Sequence, residues 1–284
     1  LLPVPPLAEQ RRIIAELDRC LSLVDTVERD GGELEALFRR LRSKVLDLAI
    51  RGELTERDPG DEPASELLTC IREEKLAMVA RGELKPKDVK NDTVIFTGSD
   101  GLRYEKRADG RGEPVCIEDE IPFEIPETWA WARLGSLITL LSGVDLASAQ
   151  YNDTRLGIPY ITGASNFVDG NLLENRWTNQ PSRISHRGDL LFTCKGTIGE
   201  MAVNEFEEAH IARQIMAITP IENQETQYIE IFLKTMVAQI QSRAKGLIPG
   251  IERATLLTAL LPVPPLAEQG RIVEKVETIF CQLR

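Results

Sequence analysis

Apolar residues recur at intervals of four, three and four at Ile13, Leu17, Cys20 and Val24, and the same intervals reappear near the other end of the chain at Ile272, Val276, Ile279 and Leu283. That spacing places one side chain per helical turn on a single stripe, the a/d seam by which one helix buries against another. An amphipathic helix lying on its own domain produces the same pattern, and two or three heptads do not separate it from a coiled coil. A second series, Leu34, Leu37, Phe38, Leu41, Val45 and Leu48, extends the first helix, and Gly31-Gly32 between the two series is a place for a bend or break. Unbroken, a helix over 7–51 would reach about 67 Å at 1.5 Å per residue.

Both stripes belong to a longer duplication. LLPVPPLAEQ occurs at 1–10 and again at 260–269, and the likeness continues from RRIIAELDRCLSLV at 11–24 to GRIVEKVETIFCQL at 270–283. Solenoid repeats have periods of about 20–50 residues, far shorter than this separation. The pattern is that of one structural module used twice around a domain. Its Pro-Pro pair suits the opening of a helix but not its interior. Glu9 and Glu268 then fall in the first turn, where a negative charge opposes the helix dipole.

Between the two copies the periodicity changes. Residues 52–63, GELTERDPGDEP, are acidic and turn-rich and read as a linker. A helix follows over about 64–81, with Ser65 as its expected N-cap. Within a mixed stretch, 85–128, VIFTGSDGLRYEKR has the form of a hairpin turning at Asp100-Gly101. From 129 to 259, IPYITGASNF, DLLFTCKGTIGEMAV and HIARQIMAITPI read as short strands between Gly, Asn and Asp turns, and YIEIFLKTMVAQIQSRA reads as a helix. The expected fold is α+β, a globular domain with a mainly antiparallel sheet plus long coiled-coil-like helices. The expected divisions are a helical spacer at 1–51, linker, short helix and hairpin at 52–128, the globular domain at 129–259 and a second helical region at 260–284.

Composition narrows the chemistry. The net charge of −11 is unfavourable for a nucleic-acid binder, but it is unevenly spread. Residues 1–128 carry 20 basic against 29 acidic side chains, 129–259 carry 11 against 13, and 260–284 carry 3 against 3. The globular segment is therefore near neutral. The five cysteines form no CxxC pair, which points to free thiols in a reducing compartment. His186 and His210 lack partners at metal-ligand spacing, so both read as ordinary core or surface residues and no metal site is expected. No apolar run is long enough to cross a membrane. GTIG at 196–199 is not a P-loop, and no GxGxxG loop or catalytic constellation is present, so neither a catalytic residue nor a cofactor is expected.

The motifs together resemble the specificity subunits of type I restriction–modification enzymes. LPVPPLAEQ followed by RRIIAELD or RIVEKVE is similar to that family's conserved helical region, and RGELTERDPGDEPASELLTCIREEK to the stretch that follows it. IPETWAWARLGSL resembles the approach to a target recognition domain, and GDLLFTCKGTIGEMAV with the later LPVPPLAEQ its middle and exit. The resemblance implies a non-catalytic protein of the cytoplasm that reads one half of a split double-stranded DNA sequence. Its helices would act as a ruler and dock methyltransferase subunits, with motor-nuclease subunits joining for cleavage. The family pattern has two recognition domains, and this chain holds one. It would then be a portion of a longer subunit, since it opens within a motif, or a half-length subunit that self-associates to read a palindromic split site. A coiled-coil interaction protein with no DNA role is the alternative that the acidic balance favours.

If 129–259 meets DNA, the contacts come from Arg, Lys, Asn and Gln on its loops, which neutralise phosphates or pair with base edges. The candidates are Arg155, Asn166, Arg176, Asn179, Arg183, Lys195, Thr197, Arg213, Gln214 and Lys245. Lys195 leads, because it precedes Gly196 in a turn where the backbone can approach a phosphate closely. Trp129, Trp131 and Trp177 read as core rather than stacking residues.

Overall fold

The computed structural model describes residues 6–222, 224–243 and 250–283. Helix α1, Leu7–Ile50, opens at Pro6 and runs 44 residues, about 66 Å, with its backbone helical through Gly31 and Gly32. Helix α2, Ala64–Arg81, opens at Pro63. The proline starts the helix one residue before Ser65, which therefore lies inside the first turn and is not the N-cap. A single turn, α3 (Pro86–Val89), leads to strands β1 (Thr93–Thr97) and β2 (Arg103–Arg107), an antiparallel hairpin to which β3 (Val115–Cys116) adds. Gly101, at φ 82°, takes the left-handed position of its turn, and Asp100 accepts bonds from Leu102 N–H (3.1 Å) and Tyr104 O–H (2.7 Å).

The remaining elements are β4 (Ala130–Arg133), α4 (Leu134–Leu137), β5 (Ile138–Ser142), β6 (Ile158–Ile161), β7 (Phe167–Val168), β8 (Asn171–Leu172) and β9 (Trp177–Thr178). They continue with β10 (Ile184–His186), β11 (Leu190–Thr193), β12 (Met201–Val203), β13 (Glu208–Ile211), β14 (Ile215–Pro220), α5 (Thr226–Arg243), α6 (Arg253–Leu257), β15 (Leu260–Val263) and α7 (Leu266–Gln282). Two four-stranded sheets, ordered β12-β11-β14-β5 and β10-β13-β6-β9, form the body of this part. The β6–β13 pairing is parallel, and the other ladders among the described residues are antiparallel. The fold is α+β, as the strand and turn pattern implies.

Burial of both faces, which alternate along a strand, explains why β11 is apolar at Leu190, Leu191 and Phe192. Leu190 and Phe192 face a large core shared with the helices, while Leu191 faces a smaller one with Ile161, Ala209, Ile211 and Ile215 between the two sheets. The large core is continuous from Val45, Ala49 and Ile50 of α1 through Ile71, Trp129, Leu134, Tyr228 and Phe232 to Ile272 and Val276 of α7. Trp131 and Trp177 are buried as well.

The second copy of the repeated motif is divided between two roles. Its first residues form β15, which pairs with β4, and the helix starts at Leu266 after Pro265. Helix α7 runs antiparallel to α1, beginning where Glu268 accepts Thr55 Oγ1 (3.2 Å) and ending where Leu283 O accepts Arg42 Nη2 (3.2 Å). Among the described residues its partner in α1 is thus the Arg42–Ile50 end. The chain turns back through 52–63, a stretch pinned to α7 by the Asp61–Arg271 ion pair, and this return sets the pairing. Ile272 and Val276 are buried, and Ile279 and Leu283 are half-buried. The side chains of Ile13, Leu17, Cys20 and Val24 lie outside the described residues.

Candidate nucleic-acid interface

The loops that follow the strands at one end of the two-sheet body are tied together by a buried histidine. His210, on β13, is fully buried, and its Nδ1 accepts the N–H groups of Ser182 (3.3 Å) and Arg183 (3.2 Å). Nε2 therefore carries the proton and meets Val144 O at 2.9 Å. Burial pushes its pKa below the ordinary 6.5, so the ring is neutral. Tyr160 packs on this ring at 5.0 Å between centroids and accepts Leu146 N–H at 3.1 Å, and Tyr151 packs on Tyr160 at 5.5 Å. One buried side chain and two tyrosines thus fix 143–151 against 182–183.

Two arginines of this part stand on aromatic faces. Arg176 lies 4.9 Å from the Tyr151 ring centroid and Arg155 lies 5.5 Å from that of Trp177. Both are exposed, and stacking restricts the guanidinium while leaving its five donors available. Arg155 holds a left-handed φ of 61°, in a loop where Asn152 Oδ1 accepts the N–H groups of Thr154 and Leu156, each at 3.0 Å. Arg183 and Asn179 are exposed on the neighbouring loop. Next to them, Arg213 pairs with Asp145 at 2.9 Å. Gln214 lies half-buried beside the exposed turn of Lys195 and Thr197, joined to it by Cys194 N–H to Gln214 O (2.8 Å).

Most of the sequence-derived candidates are placed on this set of loops. Asn166 is not available there: it is fully buried, its Oδ1 accepts Thr162 N–H (2.9 Å) and its Nδ2 donates to Leu173 O (2.7 Å). An amide saturated by its own loop reads no ligand, and it is removed from the candidate surface. Lys195, Thr197, Arg213 and Gln214 come together on linked turns, Arg155 and Arg176 stand on Trp177 and Tyr151, and Asn179 and Arg183 lie on the β9–β10 loop; Lys245 lies outside the described residues. Tyr151 and Tyr160 went unnoticed in the sequence and His210 was read there only as an ordinary core or surface residue, because nothing in their spacing links residues that the β6–β13 pairing brings together.

A cavity of about 820 Å³ lies elsewhere, between the β1–β3 sheet and the two-sheet body. Five of its charged groups are joined in ion pairs: Lys75 with Asp92 at 2.7 Å, and Arg133 with Glu105 at 2.7 Å and Glu120 at 2.9 Å. Such pairing makes it a seam that holds two parts together. Among the described residues no group of three His, Cys, Asp or Glu side chains could hold a metal ion.

A family model described as type I restriction modification DNA specificity domain matches residues 126–283, and the chain belongs to that family. The matched span contains both four-stranded sheets, their loops and α7. Among characterised relatives, the chain is 24% identical to the type I restriction enzyme EcoAI specificity subunit of Escherichia coli, over 98% of this chain and 53% of that protein. It is 24% identical to the EcoEI specificity subunit of the same organism, over 87% of this chain and 41% of that protein. Its fold matches a structure solved for complex assembly and conformational transition of the type I R-M system, with a TM-score of 0.59, 22% identity and coverage of 99% of this chain and 54% of that one. The chain spans about half the length of the curated relatives it matches.

Proposed function

We propose that this chain supplies sequence recognition to a type I restriction–modification complex, with 129–259 reading one half of a bipartite double-stranded DNA target. The observation that carries this reading is the coincidence of the family match over 126–283 with a loop cluster presenting Arg155 and Arg176 from aromatic platforms. Stacked guanidiniums are preorganised for bidentate contacts to guanine edges or phosphates. Helical regions 1–51 and 260–284 serve as spacer and dock for methyltransferase subunits, and motor-nuclease subunits complete the complex. Methyl transfer and cleavage belong to those partners, and the assembly works in the cytoplasm. Among the described residues no helix is long and apolar enough to cross a membrane.

With 11 basic against 13 acidic side chains, 129–259 cannot supply broad non-specific attraction, so binding is weak until a methyltransferase partner adds its own contacts. The test is a salt series on the assembled complex with cognate and scrambled duplexes. Arg176→Ala or Arg183→Ala should cost about 1–3 kcal/mol on the cognate site where the side chain makes a paired base contact. Unchanged affinity and preference in both, and in Arg155→Ala, would remove DNA reading from these loops. A second reading, self-association of a half-length subunit, is favoured by the exposed leucines Leu34, Leu37 and Leu41 along α1. A solution mass that stays monomeric at every concentration without partner subunits would discard it.

A further inference from the structure

Hairpin turns normally return their N–H groups to carbonyls across the turn. The β11–β12 connection does so at its ends, where Thr193 N–H bonds Glu200 O, Gly199 N–H bonds Thr193 O (each 3.0 Å), and Glu200 N–H bonds Thr193 Oγ1 (2.9 Å). Between those ends the four consecutive N–H groups of Lys195, Gly196, Thr197 and Ile198 find no acceptor among the described residues. The carbonyl just before them, Cys194 O, is already taken by Ile251 N–H at 2.9 Å. Gly196 has φ 77°, and successive N–H groups around a left-handed residue form a concavity suited to an anion.

The side chains around this turn are also donors. Lys195 and Thr197 are exposed at it, and the Gln214 amide has no hydrogen-bond partner among the described residues. Gly163 makes room for that amide, since a Cβ there would stand 2.6 Å from Gln214 Oε1, and Gly196 borders it, its Cβ position lying 3.7 Å away in ordinary contact. Arg213 is different, because Asp145 already neutralises it.

We propose that the Lys195–Ile198 turn and Gln214 form a phosphate cradle that grips one phosphodiester of the DNA backbone. The assignment rests on the DNA-reading role proposed above and divides the loop cluster into two tasks. Lys195, Thr197 and Gln214 anchor the duplex without regard to sequence, while the stacked arginines face base edges. An anchored phosphate sets the register in which neighbouring side chains meet the bases.

Two measurements test this. In amide NMR of the full chain titrated with inorganic phosphate, the Lys195, Gly196, Thr197 and Ile198 resonances should move together, and less in Lys195→Ala. In the assembled complex, Lys195→Ala should weaken cognate and scrambled duplexes by the same factor and lower the salt slope by about one. Gln214→Ala should weaken both duplexes equally as well, and because its side chain bonds none of the described residues, its result stands apart from any disturbance of the turn. Loss confined to the cognate duplex would overturn the cradle in favour of base readout. Phosphate shifts with unchanged DNA affinity, or no shifts at all, would overturn it too. Arg176→Ala and Arg183→Ala, measured alongside, report on the wider assignment: if they still weaken binding, only the cradle has failed.

Discussion

The repeated motif places the same glutamate in two environments, so a single substitution can be compared with its own control. Glu268 is 1% exposed, accepts the Trp129 indole N–H at 2.8 Å and Thr55 Oγ1 at 3.2 Å, and sits in the first turn of α7. Glu9 occupies the equivalent turn of α1 and is exposed. In Glu268→Ala the indole N–H stays buried without an acceptor, at a cost of about 1–3 kcal/mol, and hydrogen bonds to a charged group, worth about 1.5–3 kcal/mol each, are lost. Relief from holding a carboxylate away from water offsets part of this. A net loss of about 2–4 kcal/mol is expected, roughly 5–15 °C in Tm for a chain of this size. Glu9→Ala should cost no more than about 1 kcal/mol, the helix-dipole contribution of an exposed carboxylate. Glu268→Gln, which keeps an acceptor, should fall between them. Urea unfolding followed by tryptophan fluorescence and by circular dichroism gives the comparison, with coincident transitions as the check on two-state behaviour. A Glu268→Ala loss no larger than that of Glu9→Ala would refute the view that this motif locks the second helix onto the sheet body.

Two buried ionisable groups, His210 and Lys75, carry two further predictions. His210 has a folded pKa below its unfolded value near 6.5, so its contribution to stability is complete above about pH 6.5 and declines as pH falls through the folded value. His210→Gln should flatten the loss of stability between pH 7 and pH 5 in urea midpoints, and an unchanged slope would contradict the neutral-ring assignment. Lys75 is 3% exposed and bonds Asp92 at 2.7 Å and Gly135 O at 2.8 Å. Lys75→Met should therefore cost about 3–5 kcal/mol, and Lys75→Met with Asp92→Leu should recover most of it. Equal losses in the single and double variants would show that the cost is one of packing rather than of an unpaired carboxylate.

Local signals were legible where chemistry acts over a few residues. Asp100-Gly101 marks the β1–β2 turn, Pro6 and Pro265 mark helix starts, and short apolar runs between turn residues mark the strands from β11 to β14. The identical decapeptides misled at a longer range. Nothing in LLPVPPLAEQ says that its second copy begins as a strand against β4, or that Glu268 lies beneath Trp129, because both depend on a partner about 130 residues away in the chain. The same holds for the candidate site. Exposed basic residues can be listed from composition, but Asn166 turns inward because its own loop saturates it, and the Arg176–Tyr151–Tyr160–His210 stack exists only after β6 and β13 pair.

The central claim, that loops within 129–259 choose the DNA sequence, is tested most directly by genome-wide methylation mapping in cells carrying the complete system. The native chain is compared with an Arg155→Ala, Arg176→Ala, Arg183→Ala variant. The account predicts a bipartite methylated motif for the native chain, with the bases of one half relaxed or lost in the variant and the other half unchanged. A methylated motif identical in both halves for native and variant chains would contradict it.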